Sequence, residues 1–228
     1  MSDSTTSFVD VIRSRRSARR FLPAPLAASD IRAVLEDAQT SPSNSNTQPW
    51  EVHVVSGAVR DAISDELLRA LDDGRGSPDF TFDYGDGTHL ERSRAHGATL
   101  YGALGIGRSD ADGRREVIRD NLRFYGAPHV AFLFMPQLGD GVRTAGDIGM
   151  YAQTFLLSLT ARGFHGIPQT ILGMYADVVR EALGLSDDLK LLFGISFGMA
   201  DPEASVNELR MHRLPLGDSV VLHGTPLT

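Results

Sequence analysis

The chain has 228 residues, of which 42% are hydrophobic and 22% are charged. This length and balance are typical of one large or two small globular domains and exclude a disordered chain. The 29 acidic residues outnumber the 22 basic ones and give a net charge of −7, which disfavours nucleic acid and anionic lipid as partners unless a basic patch forms locally. The absence of cysteine excludes disulfides, thiol nucleophiles and thiolate metal centres.

In chain order, apolar periodicity predicts helices that are separated by a few strands. A short amphipathic helix carries Phe8 and Ile12 on its apolar face, and Ser29 is expected to cap a second helix. Further helices are predicted over 58–71, 90–104, 114–124, 145–162 and 175–183, and strands over 50–55, 130–135 and 191–197. Gly163 is expected to end the most apolar helix. This order indicates an α+β domain with one central sheet.

Two segments differ from these elements. Residues 72–88 are rich in glycine and interrupt the helical pattern, so we expect a mobile loop inside a single domain that spans 8–216. In the tail 217–228, apolar residues alternate with turn residues, which predicts an edge strand that packs on a partner subunit.

The sequence carries no apolar signal core near its start, and its longest apolar-leaning run, 148–161, is too short and too polar to span a bilayer. These features predict a cytoplasmic protein that does not bind membranes. No HExxH, GxSxG, Walker A or GxGxxG motif occurs, and the seven histidines lack metal-ligand spacing, so no metal site is predicted. Lys190 is the only lysine, which disfavours Schiff-base chemistry.

Five arginines lie within residues 13–20, although the chain as a whole is acidic. Guanidinium groups form paired hydrogen bonds with phosphate oxygens, and Ser17 adds a hydroxyl donor. One interpretation is therefore an anion-binding or phosphate-binding cradle. The other is a solvated helix end that pairs with acidic neighbours, and residue types alone support the two equally. A nucleic-acid patch is disfavoured because no aromatic residues are interleaved with the arginines.

Two further segments have a possible binding role. Residues 42–50 combine uncharged polar side chains with two prolines, which suits the polar edges of a neutral planar heterocycle, but composition alone favours an ordinary helix-to-strand loop. In 163–170, glycines and a proline could bring backbone N–H groups close to a ligand, although a simple turn is the favoured interpretation.

Together, these segments resemble the FMN-dependent nitroreductase family. The resemblance rests on the order of three motifs, which are Arg15-Arg16-Ser17-Ala18-Arg19, the run 41–50 from Ser41 to Trp50, and the run 194–201 with Asn207 and Arg213 downstream. Residues 125–129 and 151–154 are similar to the para-nitrobenzoate-reductase-like branch. The resemblance covers about residues 8–216. It implies a nitroreductase-like α+β fold, with a mostly antiparallel central sheet flanked by helices, in a domain completed by homodimerisation.

The resemblance also implies a set of FMN-binding residues. Arg15, Ser17 and Arg213 match the positions that hold the phosphate and ribityl chain, Arg16 occupies the intervening position, and Arg19 matches the cation near flavin N1 and O2. Pro42, Ser43 and Asn44, with Asn46 and Gln48 just beyond, match a loop that reaches the flavin from the partner chain. Gln169, Thr170 and Ile171 match the segment whose backbone faces flavin N5, where many relatives carry a Glu-Gly pair instead.

The function implied by the resemblance is NAD(P)H-dependent reduction of nitroaromatic or quinone substrates, by ping-pong hydride transfer through flavin N5. The chemistry resides on FMN, so no side chain is assigned as catalytic beyond Arg19, which would stabilise negative charge at N1 and O2. Two alternatives are kept. One is a flavin or quinone reductase or a flavin-dependent dehydrogenase of the same fold, and the other is a flavin-binding sensor without turnover.

Overall fold

The computed structural model describes residues 7–224, which form seven α-helices and four β-strands. The helices are α1 (Phe8–Ser14), α2 (Ala28–Ala38), α3 (Gly57–Asp72), α4 (Thr88–Ala103), α5 (Ala111–Leu122), α6 (Val142–Ala161) and α7 (Ala176–Leu183). The strands are β1 (Glu51–Ser56), β2 (His129–Pro136), β3 (His165–Gln169) and β4 (Leu189–Gly198). None of the helices within 7–224 is long and apolar enough to cross a membrane.

The four strands form one antiparallel sheet in the order β1-β2-β4-β3. Helices α3, α5 and α7 cover one face, while α2 and α6 cover the other. Strand β2 is buried on both faces, since Phe132 packs towards the first helix layer and Leu133 towards the second. Double burial explains why the sequence of β2 is continuously apolar rather than alternating.

Helix α2 begins earlier than the sequence indicates. The predicted N-cap at Ser29 is wrong, because Ala27 already has extended backbone angles and its carbonyl accepts hydrogen bonds from the N–H groups of Asp30 and Ile31. Ser29 therefore lies inside the first turn, and no side chain caps this helix. At the end of α6, Gly163 takes a φ of +78°, which confirms the predicted helix end.

Strand β3 corrects the interpretation of 163–170 as a simple turn. Residues His165–Gln169 pair with β4 along their full length, so this segment is the edge of the sheet. Its outer side pairs with the arginine-rich segment through a parallel bridge between Gly166 and Ser17. A Cβ at Gly166 would lie 2.8 Å from a methyl group of Leu156, so any larger residue there would displace side chains packed between β3 and α6.

The predicted loop 72–88 contains no helix or strand between residues 73 and 87, and its first half is tied to the body of the protein. The N–H of Ser77 donates to the carbonyl of Met174 at 2.8 Å. The side chain of Asp79 is only 7% exposed, and its carboxylate accepts hydrogen bonds from Arg180 and from the N–H of Leu191. Residues 80–87 lack such anchors among the contacts of 7–224 and keep their aromatic side chains exposed.

The tail beyond the predicted domain forms a short 3₁₀ turn at Leu216–Asp218. Residues 219–224 form no strand within the described chain, and Val221 is 76% exposed. Residues 225–228 of the predicted tail lie outside the described residues. An edge strand on a partner subunit stays a prediction.

Candidate functional site

A cleft of about 760 Å³ opens beside strand β3 and gathers residues from distant parts of the chain. Six of its lining residues are arginines, namely Arg13, Arg15, Arg16, Arg19, Arg210 and Arg213. Ser17 lines it as well, together with His96 of α4, Gln153 and Leu156 of α6, and Pro168 of β3. The structure thus brings the predicted residues Arg15, Arg16, Ser17, Arg19 and Arg213 into one site.

The backbone of the arginine-rich segment is held on both sides. After α1 ends, the chain runs extended, with Ala18 fully buried and its neighbours Ser17 and Arg19 at the cleft. Asn207 fixes this segment to the C-terminal one, because its amide oxygen accepts from the N–H of Arg19 at 2.7 Å. The amide nitrogen of Asn207 donates to the carbonyls of Arg20 and Asp201 at 2.9 and 3.0 Å.

The positive charge of the cleft is compensated only in part within the described chain, where the charge of the exposed Glu208 raises the pKa of Arg16. None of the six arginines forms an ion pair with a residue of 7–224. Among the residues that the structure describes, Arg213 donates only to the carbonyls of Met211 and His212, both at 3.2 Å. The Nε atoms of Arg16 and Arg19 are buried without a hydrogen-bond partner among the same residues.

Burial and mutual repulsion both act on these cations. The pKa of Arg15 is lowered by burial and then by the charge of Arg213, and the pKa of Arg16 is lowered by burial and then by Arg210. Burial, followed by the charges of Arg19 and Arg213, also lowers the pKa of His96, which favours its neutral form. A phosphate in this cleft would satisfy open donors and relieve the repulsion, so the residues fit a phosphate-bearing group.

The predicted loop residues Pro42, Ser43, Asn44, Asn46 and Gln48 do not line the cleft of their own chain. The loop is held on α6, since the N–H of Asn44 donates to both carboxylate oxygens of Asp147 at 3.1 and 3.2 Å. The N–H of Gln48 donates to the hydroxyl of Ser43 at 2.9 Å.

Three non-glycine residues of this loop have left-handed backbone angles, with φ of 50° at Ser45, 56° at Asn46 and 47° at Gln48. Such conformations cost free energy and persist where the surroundings impose them. The loop is therefore a shaped surface loop, meaning that it has a defined backbone conformation although most of its residues are exposed.

The third predicted segment divides into a buried and an accessible part. Gln169 is 3% exposed and its side chain is committed to the interior, where its Nε2 donates to the Oδ1 of Asn121 at 2.7 Å and its Oε1 accepts from the hydroxyl of Ser196. Thr170 is exposed at the start of a 3₁₀ turn, and Ile171 packs against the core.

Sequence reasoning missed Arg210 and His96 as lining residues of the cleft. A lone histidine in a helix and an isolated arginine near the C-terminus carry no local signal, and only the fold brings them to the arginine segment. Within residues 7–224, no group of three or more histidine, aspartate or glutamate side chains is placed to hold a metal ion.

An antiparallel sheet between two helix layers defines an α+β protein, and the arginine-lined cleft at its β3 edge fits an organic phosphate. Residues 12–199 match the sequence model of the nitroreductase family, so the chain belongs to that family. The family and the fold class predicted from the sequence are thereby confirmed.

Several characterised relatives align over almost the whole chain. The nitroreductase NfnB of Mycolicibacterium smegmatis is 46% identical over 211 residues, covering 92% of this chain and 89% of the relative. The 4-nitrobenzoate reductase of Pseudomonas putida is 34% identical, with 92% of each chain covered. Among solved structures, the FMN- and NADPH-dependent nitroreductase NfnB from Sphigopyxis sp. strain HMH superposes with a TM-score of 0.92 at 33% identity, covering 96% of this chain and 100% of the neighbour. The structure of the FMN-dependent nitroreductase NfnB from Mycobacterium smegmatis, in complex with NADPH, has a TM-score of 0.90 at 45% identity, covering 93% and 96%.

Proposed function

We propose that this protein is an FMN-dependent NAD(P)H oxidoreductase that reduces nitroaromatic compounds. The oxidoreductase class and the FMN dependence predicted from the sequence agree with the family and with relatives that are named for both. The observation that carries the proposal is the cleft, in which arginines at the family's motif positions form no ion pair with any residue of 7–224. When bound, FMN would supply the hydride chemistry, for which the protein needs no nucleophile of its own.

The phosphate end of the cofactor would be held by Arg15, Ser17 and Arg213. The two guanidinium groups come from opposite ends of the chain and repel each other, so a dianion between them lowers the electrostatic free energy of both. Arg16 belongs to the same motif and lines the same cleft.

Arg19 would lie at the N1 and O2 edge of the flavin. Its backbone is fixed by Asn207, and its guanidinium donates to the carbonyl of Ser17 at 3.4 Å. A preorganised cation there would favour negative charge on that edge without reorganisation during the reaction. The backbone around Thr170 and Ile171 would face N5, and the side chain of Gln169 would support this backbone from the interior.

The site would be completed by a second copy of the chain. Pro42, Ser43, Asn44, Asn46 and Gln48 are outside their own cleft but lie on a shaped surface loop, as a contribution to a partner's cleft requires. Exposed apolar side chains support an interface, with Phe8 and Val142 each 69% exposed. We therefore propose a homodimer of cytoplasmic location with two FMN sites, a single domain over 8–216, and a tail, 217–228, that packs on the partner.

The proposal is tested by isolating the protein and measuring bound FMN and turnover. We expect a yellow dimer with releasable FMN, and parallel double-reciprocal lines for NAD(P)H and a nitroaromatic acceptor. Side-by-side turnover of a nitroaromatic, free flavin and a quinone separates the nitroreductase from a flavin or quinone reductase. A protein that binds FMN but oxidises NAD(P)H with none of these acceptors is a sensor, and the proposed activity is then wrong.

A further inference from the structure

A second cavity, which we call the α4 groove, is formed by helix α4, the start of helix α5 and the segment that joins them. It has a volume of about 670 Å³ and shares no lining residue with the cofactor cleft. This volume is typical of small-molecule sites. Three of its lining residues are Arg94, Arg108 and Arg114, and none of those within 7–224 is acidic. The α4 groove is therefore a second concentration of positive charge in an acidic chain.

The arginines of the α4 groove lack the acidic partners that other arginines of the same region have. None of the three forms an ion pair with a residue of 7–224. By contrast, Arg115 and Arg119 of α5 both pair with Asp72, at 2.9 and 2.7 Å. Within the described chain, Arg114 is thus the one arginine of α5 that faces no carboxylate at ion-pair distance, and it is the one that lines the groove.

Arg114 is held in place by an aromatic ring rather than by an acid. Its guanidinium carbon lies 4.8 Å from the ring centroid of Tyr101, in a cation–π contact that joins α5 to α4. The N–H groups of a guanidinium lie in its plane, so a contact through one face leaves its donors open. The Nε of Arg114 is accordingly buried without a hydrogen-bond partner among residues 7–224. Stacking explains the position of Arg114 but not what its donors bind.

The surface between the cations is flat and mostly apolar. Gly97, Ala98 and Gly102 of α4 line the groove and carry no side chain larger than a methyl group. A planar group can therefore approach this helix closely. Ile106 and the ring of Tyr101 add larger apolar surfaces beside it. An apolar surface bordered by cations suits a ligand with a planar apolar body and one anionic substituent.

We propose that the α4 groove is a second ligand site, which binds an aromatic carboxylate independently of FMN. The ring would lie on the small residues of α4, and the carboxylate would accept two parallel hydrogen bonds from Arg114. A monoanion is favoured over a phosphate because only Arg114 is partly buried. Arg94 and Arg108 are exposed, so solvent and salt screen their charges. The inference goes beyond the proposed function, since the groove and the cofactor cleft have no residue in common.

The test measures binding of 2-naphthoate to the protein by isothermal titration calorimetry, with FMN present at saturation so that the cofactor cleft is filled. The uncharged 2-naphthamide is titrated in parallel, because it has the same ring without the carboxylate. The visible spectrum of the flavin is recorded at each point, since a ring that stacks on the flavin perturbs this spectrum. We expect a naphthoate site that leaves the spectrum unchanged and that does not bind the amide.

Substitutions then locate this site. Arg114→Gln should weaken naphthoate binding about tenfold or more, the effect typical of losing a charged hydrogen bond. Arg114→Lys keeps the charge without the planar fork and should lie between Arg114→Gln and the wild type. Arg108 is exposed, so Arg108→Gln leaves the core intact and should weaken binding by about threefold, as for an exposed charge pair. This smaller effect should disappear at about 1 M salt.

The matched control is Arg92→Gln. Arg92 is an exposed arginine of the same helix that forms no ion pair within 7–224 and does not line the groove. Its substitution removes the same charge and should change the affinity by less than about twofold, as is usual for surface positions.

Four outcomes overturn the inference. Absence of a naphthoate site, or equal binding of naphthoate and naphthamide, would show that the groove does not recognise a carboxylate. Wild-type affinity in Arg114→Gln would place the ligand elsewhere. Displacement of naphthoate by NADPH would assign the binding to the cofactor cleft, and equally effective displacement by inorganic phosphate would indicate general anion binding. Since none of these measurements uses turnover, a protein that fails to reduce nitroaromatics would refute the proposed function alone.

Discussion

At the scale of single residues, the cleft depends on how a few side chains are held. Asn207 is 4% exposed, and its side chain makes three hydrogen bonds, all to backbone groups of Arg19, Arg20 and Asp201. One buried amide thus joins the N-terminal and C-terminal arginine segments. Because Asn207 binds backbone, it positions the segment whichever side chains the segment carries.

The phosphate assignment predicts that Arg15→Ala and Arg213→Ala each weaken FMN binding by about 1.5–3 kcal/mol, the range for hydrogen bonds that involve a charged group. Fluorescence titration of the apoprotein with FMN measures this change. Arg32→Ala serves as the control, since it lies outside the cleft. Wild-type affinity in both cleft variants would refute the assignment.

A second substitution separates charge from hydrogen bonding. Arg19→Gln keeps donors near the flavin edge but removes the cation, so we expect a lower reduction potential and slower reduction by NAD(P)H, with FMN still bound. The loss in transition-state stabilisation should be about 2–4 kcal/mol, as for other preorganised electrostatic donors. Potentiometry and anaerobic stopped-flow measurements give the two quantities. If both match the wild type, Arg19 belongs only to a general basic surface.

At the scale of elements, the loop between α3 and α4 is anchored by one buried ion pair. Asp79→Ala would leave the guanidinium of Arg180 buried without the carboxylate of Asp79. We therefore expect the free energy of unfolding to fall by about 3 kcal/mol. This is the lower end of the usual range, since Asp187 still contacts the Nε of Arg180 at 3.3 Å. Urea unfolding measures the loss. Residues 73–87 should also become more sensitive to protease.

The matched control for this pair is Asp187→Ala. The carboxylate of Asp187 contacts the same guanidinium but is 94% exposed, so its removal should cost less than about 1 kcal/mol. Equal losses in the two variants would mean that burial of Asp79 contributes nothing to the anchor.

The elements that could be predicted from the sequence are those whose own residues carry the period of their structure. The helices and strand β1 are of this kind, whereas β2 and β4 are recognisable as mostly apolar runs of strand length. Strand β3 is not, because Gly166 and Pro168 leave it without alternation, and it forms only because β4 offers a free edge. The predicted N-cap of α2 is wrong for a related reason. Ala27 occupies this position without a side-chain hydrogen bond, so no capping residue type marks the helix start in the sequence.

The candidate site divides in the same way. The arginines of 13–20 were predicted because they are clustered in sequence, and the fold places most of them in one cleft. Arg210 and His96 gain their position only from packing between distant segments. The loop 42–48 is recognisable by motif, yet its proposed place in a partner's site depends on a second chain.

At the scale of the whole molecule, three histidines whose pKa values are lowered in the folded chain link stability to pH. Burial lowers the pKa of His96, His129 and His165 from 6.5, with nearby arginines adding to the shift. For His129 the reason is visible, because its Nε2 accepts a hydrogen bond from the N–H of Leu26 at 2.9 Å and must be unprotonated to do so.

The lowered pKa values of these histidines determine how the stability of the folded state changes with pH. Above about pH 6.5 the three imidazoles are neutral in the folded and unfolded chain, so their contribution to stability is fully present. As pH falls below that value the unfolded chain binds protons first, and the folded state loses stability. We expect a lower urea midpoint at about pH 5.5 than at about pH 7.5, and an equal or higher midpoint would contradict the prediction.

The concentration of six arginines in one cleft of a chain with net charge −7 also affects how ligands arrive. Such a charge distribution creates a local attractive field for anions, while the acidic remainder of the surface repels them. The rate of FMN capture should therefore fall steeply as salt is added, since screening shortens the reach of this field to about 10 Å at 0.1 M ionic strength. The escape rate, governed by short-range contacts, should change much less. The ionic strength of the surroundings would thus set how quickly a newly folded chain acquires its flavin.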